Sequence, residues 1–205
     1  MRHIKRELKI GNTAIGGSNP VLVQSMLNVK SSDVEGNVIQ AVELEKAGCQ
    51  IVRVSVPTLE DVRLVEAIKN EITIPLVADI HFDYKIALAC ADAGIDKIRI
   101  NPGNIGDDEK VKAVVKACSA KNIPIRIGVN AGSLEKNILA RYGKPSPEAL
   151  CESAMYHIGL LERFDFNDIA VSIKSSNVKN MIEAYTLLDS KCNYPLHIGV
   201  TEAGT

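Results

Sequence analysis

Four stretches that otherwise read as buried β-strands carry a cation where an apolar side chain is expected. They are Ile51-Val52-Arg53-Val54-Ser55, Lys97-Ile98-Arg99-Ile100-Asn101, Ile125-Arg126-Ile127-Gly128 and Val171-Ser172-Ile173-Lys174-Ser175. A strand covered on both faces is normally an almost unbroken hydrophobic run. Here apolar residues alternate with cationic or polar ones, and alternation along a strand sends the two sets to opposite faces. Ile98, Ile100, Ile125, Ile127, Val129, Val171 and Ile173 are thereby assigned to a helix-covered face, and Arg53, Arg99, Arg126 and Lys174 to the other. Two carboxylates at strand ends, Asp79 and Glu202, could neutralise two of these four cations. A buried charge without a partner is costly. A bound anion is therefore the natural counterion, and a purely structural ion-pair network is the competing reading. Arginine suits a phosphate or diphosphate because its planar fork bonds two oxygens at once.

The cations are a local choice, because the 205-residue chain has a formal net charge of −1. That balance argues against general nucleic-acid binding, which needs a basic face. Aromatic residues make up only 4% with no Trp, so stacked-base recognition is not expected either. With 46% hydrophobic residues the composition suits one globular domain. No apolar run reaches the ~18 residues of a membrane span. The basic start, Met1-Arg2-His3-Ile4-Lys5-Arg6, is not followed by the apolar stretch of a secretory leader, so the cytoplasm is the expected compartment. Cys49, Cys90, Cys118, Cys151 and Cys192 are widely spaced without a Cys-x-x-Cys. They read as small buried hydrophobes rather than as disulfides or a metal cluster.

Strand-like and helix-like segments alternate from residue 20 onward, the pattern of βα units. Strands are expected at 21–24, 51–54, 75–79, 97–101, 124–129, 168–174 and 195–200. Helices are expected at 33–47, 58–69, 83–93, 107–121, 146–163 and 177–190. Gly48 and Gly94 stand where helix-terminating glycines belong, and Ser146-Pro147-Glu148 is an N-cap followed by a first-turn proline. Two internal repeats support the count. Ala47-Gly48 and Ala93-Gly94 each precede an Arg by the same interval, at Arg53 and Arg99, while Pro75, Pro124 and Pro195 each open a strand. The fold expected is α/β, a (β/α)8 barrel that breaks off after about seven strands, with residues 1–205 forming one incomplete substrate-binding domain. Residues 8–17 are expected to form a hairpin that caps the barrel bottom.

Active sites in such barrels sit at the C-terminal ends of the strands. Those ends carry Arg53, Asp79, His81, Arg99, Asn101, Arg126, Asn130, Lys174, His197 and Glu202. Asp79 and His81 alone do not make a metal site, because a clear third ligand is missing. A substrate hydrogen-bonding or acid–base role suits them better. Asn101-Pro102-Gly103-Asn104-Ile105-Gly106 could cradle a phosphate, and it reads equally well as an ordinary turn. Residues 132–145 form a long connection of the kind that makes lids. His157, on the fifth expected helix, reads as a packing or surface residue.

Several of these strings resemble one family. Val23-Gln24-Ser25-Met26, Ala78-Asp79-Ile80-His81-Phe82, Ile98-Arg99-Ile100-Asn101-Pro102-Gly103-Asn104, Arg126-Ile127-Gly128-Val129-Asn130-Ala131-Gly132-Ser133-Leu134 and His197-Ile198-Gly199-Val200-Thr201-Glu202-Ala203-Gly204 are similar to 4-hydroxy-3-methylbut-2-en-1-yl diphosphate synthases of the non-mevalonate isoprenoid pathway. The resemblance runs from about residue 5 to the last residue. It implies reductive opening of 2-C-methyl-D-erythritol 2,4-cyclodiphosphate to a linear allylic diphosphate, with two electrons from ferredoxin or flavodoxin. It also implies a homodimer and a 4Fe–4S cluster held by three Cys and one Glu in a separate C-terminal domain. No matching Cys motif stands in these 205 residues, so no metal ligand is carried over, and the piece alone is expected to be inactive. By the same resemblance Arg53, Arg99, Arg126 and Lys174 would hold the diphosphate, with Asn101, Asn130 and His197 adding substrate contacts. Asp79 and His81 would orient the ring or fix the cations, and Glu202 would donate a proton to the departing hydroxyl. The alternatives are a non-catalytic phosphometabolite-binding barrel and a barrel enzyme similar to the pterin synthases.

Overall fold

The computed structural model describes residues 3–199. A parallel sheet of six strands runs in sequence order, with helices packed along its outside. The strands are β3 (Gln24–Met26), β4 (Ile51–Ser55), β5 (Leu76–Asp79), β6 (Lys97–Ile100), β7 (Ile125–Asn130) and β8 (Ile169–Lys174). Sequential parallel neighbours joined by helices are the βα repeat of a barrel wall. Strands β1 (Leu8–Ile10) and β2 (Thr13–Ile15) form a separate antiparallel hairpin.

Helix placement follows local chemistry. The main helices are α1 (Val34–Lys46), α2 (Arg63–Lys69), α3 (Tyr84–Asp92) and α5 (Asp108–Ala120), then α7 (Pro147–Glu162) and α8 (Val178–Lys191). Asp33, Asp83, Asp107, Ser146 and Asn177 each accept a hydrogen bond from a first-turn amide, satisfying donors that the helix itself leaves unpaired. Only α2 starts differently. Asp61 accepts from the Thr58 amide (3.1 Å) and hydroxyl (2.6 Å), and Glu60–Val62 winds as a 3-10 turn before the α-helix begins. Gly48 (φ 91°) and Gly94 (φ 82°) end α1 and α3 in conformations that disfavour a Cβ. In each case the next amide reaches back to the last turn, Cys49 to Leu44 and Ile95 to Cys90, as a Schellman closure does.

The alternation of the strands has its expected outcome. Ile98, Ile100, Ile125, Ile127, Val129, Val171 and Ile173 are buried in one apolar cluster with the helices' Cys90, Val111, Leu150 and Leu188. The opposite face is apolar only at the bottom, where Ile51 and Val77 meet Ile10 of the hairpin. Hairpin β1–β2 thus closes the barrel floor, and Asn12 fixes it by donating from Nδ2 to the Thr73 carbonyl at 3.0 Å.

Two segments differ from the expected strands. The first ladder begins at Gln24 rather than Val21; Val21 is 83% exposed, although the Val23 carbonyl already accepts from the Gln50 and Ile51 amides. The seventh, expected at 195–200, pairs with β8 only through the Val171–Leu196 bridge, its end lying outside the described residues. Tyr185 of α8 takes over part of the pinning, since its hydroxyl bonds both Ile173 and the His197 carbonyl. The 132–145 connection is not structureless: it contains α6 (Lys136–Tyr142). Among the described residues no helix is long and apolar enough to cross a membrane.

Truncating Ile10 to alanine should detach the hairpin from the floor and lower the unfolding free energy by about 2–5 kcal/mol, the usual range for a fully buried Ile. Chemical denaturation reads the change, and a loss near zero would mean that the floor is not part of the cooperative core.

Candidate active site at the cationic strand ends

Asp79, at the end of β5, is the centre of the site. It stands between two strands that the sequence repeat makes equivalent, and both supply an arginine. Arg53 of β4 donates from Nη2 to Oδ2 at 2.6 Å, and Arg99 of β6 donates from Nη1 to Oδ1 at 2.9 Å. The carboxylate is 1% exposed. Burial pushes its pKa up, but Arg99, Arg53 and the nearby His81 outweigh that and hold it below the usual value. Asp79 is thus a fixed anion that aims two guanidiniums, not a proton carrier near neutral pH.

One carboxylate does not balance the cluster. Arg126 of β7 is 1% exposed, and its Nε and Nη2 have no hydrogen-bond partner; Arg53 Nε and Arg99 Nε are likewise unpaired. Burial, then Arg53 and Arg99, lower the Arg126 pKa to about 9. Lys174 at the end of β8 is half-buried, and burial followed by the same arginines lowers its pKa too. His197 is lowered to about 2 by burial and by Arg126, Lys97, Arg53 and Lys174, so it is a neutral imidazole among cations. Orphaned guanidinium donors and depressed cation pKa values mark these strand ends as a candidate anion site.

Glycine makes the packing possible. A Cβ on Gly128 would lie 2.3 Å from Arg99 Nε and 2.6 Å from Arg99 Nη2. Gly128 is therefore the space into which the Arg99 guanidinium folds.

The expected site residues fall into two groups. Arg53, Asp79, Arg99, Arg126, Lys174 and His197 form one electrostatically coupled cluster. Asn101, Asn130 and His81 stand at its margin. The Asn101 and Asn130 side chains cap local turns, at Gly103 N and Gly132 N (3.1 Å each), and Asn101 opens α4 (Pro102–Ile105), so the ordinary-turn reading of that stretch holds. His81 is exposed, with Nε2 3.7 Å from Asp79 Oδ2. Glu202 lies outside the described residues.

Lys97 was not among the expected site residues. It is 1% exposed, and burial, then Arg126 and Arg53, lower its pKa to about 7. Its signal was present in the sequence, two residues before Arg99 and in the same phase. It lines a cavity of about 440 Å³ with Gln24, Ile51, Leu196 and His197, which lies between β3 and residues 195–199 rather than at the cluster of arginines. Among the described residues no three His, Cys, Asp or Glu converge, and four of the five cysteines are buried. These residues do not fit an iron–sulfur cluster.

A parallel βα wall whose strand ends gather buried cations defines a TIM-barrel-type domain with a candidate site at the C-terminal ends of its strands. The chain belongs to the family described as GcpE TIM-barrel domain, whose model matches residues 5–205. It is 59% identical to 4-hydroxy-3-methylbut-2-en-1-yl diphosphate synthase (flavodoxin) of Fusobacterium nucleatum, over all of this chain and 58% of that protein. It is 57% identical to the Clostridium perfringens protein of the same name, over 98% of this chain and 57% of the relative. The chain thus spans a little over half the length of the curated relatives it matches. Among solved structures it is similar to Yersinia pestis dihydropteroate synthase, with a TM-score of 0.64 and 16% identity over 93% of this chain and 74% of that one. It is also similar to Thermotoga maritima phospho-2-dehydro-3-deoxyheptonate aldolase, with a TM-score of 0.65 and 13% identity over 94% and 55%. These last two likenesses show the fold alone.

The charge surplus has a pH signature. Between the folded pKa of Lys97, about 7, and its unfolded value near ~10.4, the unfolded chain binds a proton that the folded chain does not. The Lys97 contribution to stability should therefore rise with pH across that window in the absence of multivalent anions, set against the opposite contribution of Cys90 and Cys118, whose thiols burial pushes up to about 12. Lys97→Met should flatten the rise. Parallel denaturation series of both proteins check it, and identical slopes would contradict the burial of an uncompensated amine.

Proposed function

We propose that this chain is the substrate-binding barrel of a 4-hydroxy-3-methylbut-2-en-1-yl diphosphate synthase, in which the cationic strand ends bind 2-C-methyl-D-erythritol 2,4-cyclodiphosphate. The observation that carries the reading is Arg126, fully buried with Nε and Nη2 unpaired, beside two arginines already turned by Asp79. Whole-chain identity of 57–59% to synthases of that name supports the choice of substrate over a pterin. The dihydropteroate synthase likeness, at 16% identity, does not reach that far.

In this reading Arg53, Arg99 and Arg126 neutralise the diphosphate from within the barrel, and Lys174 closes on it from β8. Asn101 and Asn130 add neutral contacts at the rim. His197, kept neutral by its cationic surroundings, accepts hydrogen bonds rather than adding charge. His81 reaches the exposed side of Asp79 and helps orient the ring. Glu202 is assigned the proton for the leaving hydroxyl on the resemblance of Val200-Thr201-Glu202-Ala203-Gly204. These residues bind and orient; they supply no electrons. Two electrons from flavodoxin, through a 4Fe–4S cluster held outside these 205 residues in a dimeric enzyme, complete the proposed reaction.

Calorimetric titration with the cyclic diphosphate tests the reading. Arg126→Ala should weaken binding by about 1.5–3 kcal/mol, the value of a lost hydrogen bond to a charged group. Binding as tight as that of the unaltered chain would remove Arg126 from the site.

A further inference from the structure

His157 has no role in the binding scheme, yet it is 0% exposed in the middle of α7. Its Nε2 is 2.5 Å from Glu135 Oε1, and Glu135 sits in the connection that leaves β7. Burial alone would raise the Glu135 pKa, but hydrogen bonds from His157 and Ser153 hold it at about 2, so the carboxylate is ionised and the imidazole N–H donates. The same edge of the ring faces a second connection. A Cβ added to Gly103 would stand 3.1 Å from His157 Cε1, and Gly103 is the residue whose amide Asn101 caps. One imidazole therefore bonds the loop after β7, which carries Asn130, and lies where a methyl on the segment after β6, which carries Asn101, would press against it. His157 Nδ1 and Glu135 Oε2 make no hydrogen bond of their own, so the Nε2–Oε1 contact fixes the pair.

We infer that His157 and Glu135 are a positioning pair that clasps the two strand-end loops together and so sets Asn101 and Asn130 relative to Arg99 and Arg126. This rests on the anion-binding reading of the site only for its consequence, not for the clasp itself. Helix α7 is the rigid member, because its buried face packs into the main core through Leu150, Ala154, Ile158 and Leu161. The loops also reach the core through Ile105, Ala131 and Leu134, and the His157–Glu135 pair is the polar link that both of them meet on α7.

Amide hydrogen exchange on the whole chain, without ligand, tests the clasp. In Glu135→Gln, amides at 101–106 and at 131–135 should both exchange about tenfold faster, the effect of one lost charged hydrogen bond. Amides of β8 should be unchanged, which controls for folding. Gly103→Ala, whose methyl would stand 3.1 Å from His157 Cε1 and 3.6 Å from Glu135 Oε1, should loosen the same two segments. Faster exchange in only one loop, or in neither, overturns the pairing. Inorganic diphosphate titrated into the same proteins tests the consequence. Affinity should fall roughly fivefold to tenfold in Glu135→Gln, as misplaced but intact contacts would give. Loosened loops with unaltered affinity overturn the link to Asn101 and Asn130. If the unaltered chain binds no diphosphate, the anion reading fails, and the exchange data alone still decide whether the clasp exists.

Discussion

The shared carboxylate of Asp79 is the interaction on which the upper half of this barrel depends. Three arginines and a lysine are packed into a space that a parallel sheet would ordinarily fill with branched aliphatics. Two of the arginines are made tolerable by Asp79, one on each oxygen. Among the described residues the third is not compensated, and Arg126 keeps two donors unpaired at 1% exposure. In the proposed reading, such a feature gives up stability for readiness toward a multivalent anion.

The arrangement is economical in backbone terms. A helix ended by a glycine, followed at a fixed interval by an arginine, occurs twice, and the two copies flank the strand that carries Asp79. The repeat in sequence thus becomes a near-symmetric grip in space. Polarity is also graded along the barrel. Ile10, Ile51 and Val77 make the floor apolar, while Arg53, Asp79, Arg99 and Arg126 stand above it. The floor supplies the hydrophobic closure that the charged layer cannot.

What could be read from the sequence was local or periodic. Helix starts were legible because Asp33, Asp83, Asp107, Ser146 and Asn177 act on amides two or three residues away. The facing of Arg53, Arg99 and Arg126 was legible because a strand alternates. Strand ends at the sheet margins were not, since whether Val21 or Ile198 joins a ladder depends on a neighbour rather than on its own residue type. Lys97 was legible in phase but was passed over, because its partners Arg126 and Arg53 lie on other strands. Glu135 and His157 left no pattern: a loop glutamate and a helix histidine 22 residues apart meet only once the chain has folded.

Gly128 carries a constraint beyond its own position. Because the Arg99 guanidinium occupies the volume where any Cβ at 128 would sit, the two sites are not free to vary independently. A larger residue at 128 displaces the Arg99 guanidinium, and with it the Nη1 bond to Asp79, unless Arg99 is shortened as well. Sequence drift or engineering at this level of the barrel therefore acts on the two positions together, because a change at 128 is felt at Asp79 through Arg99.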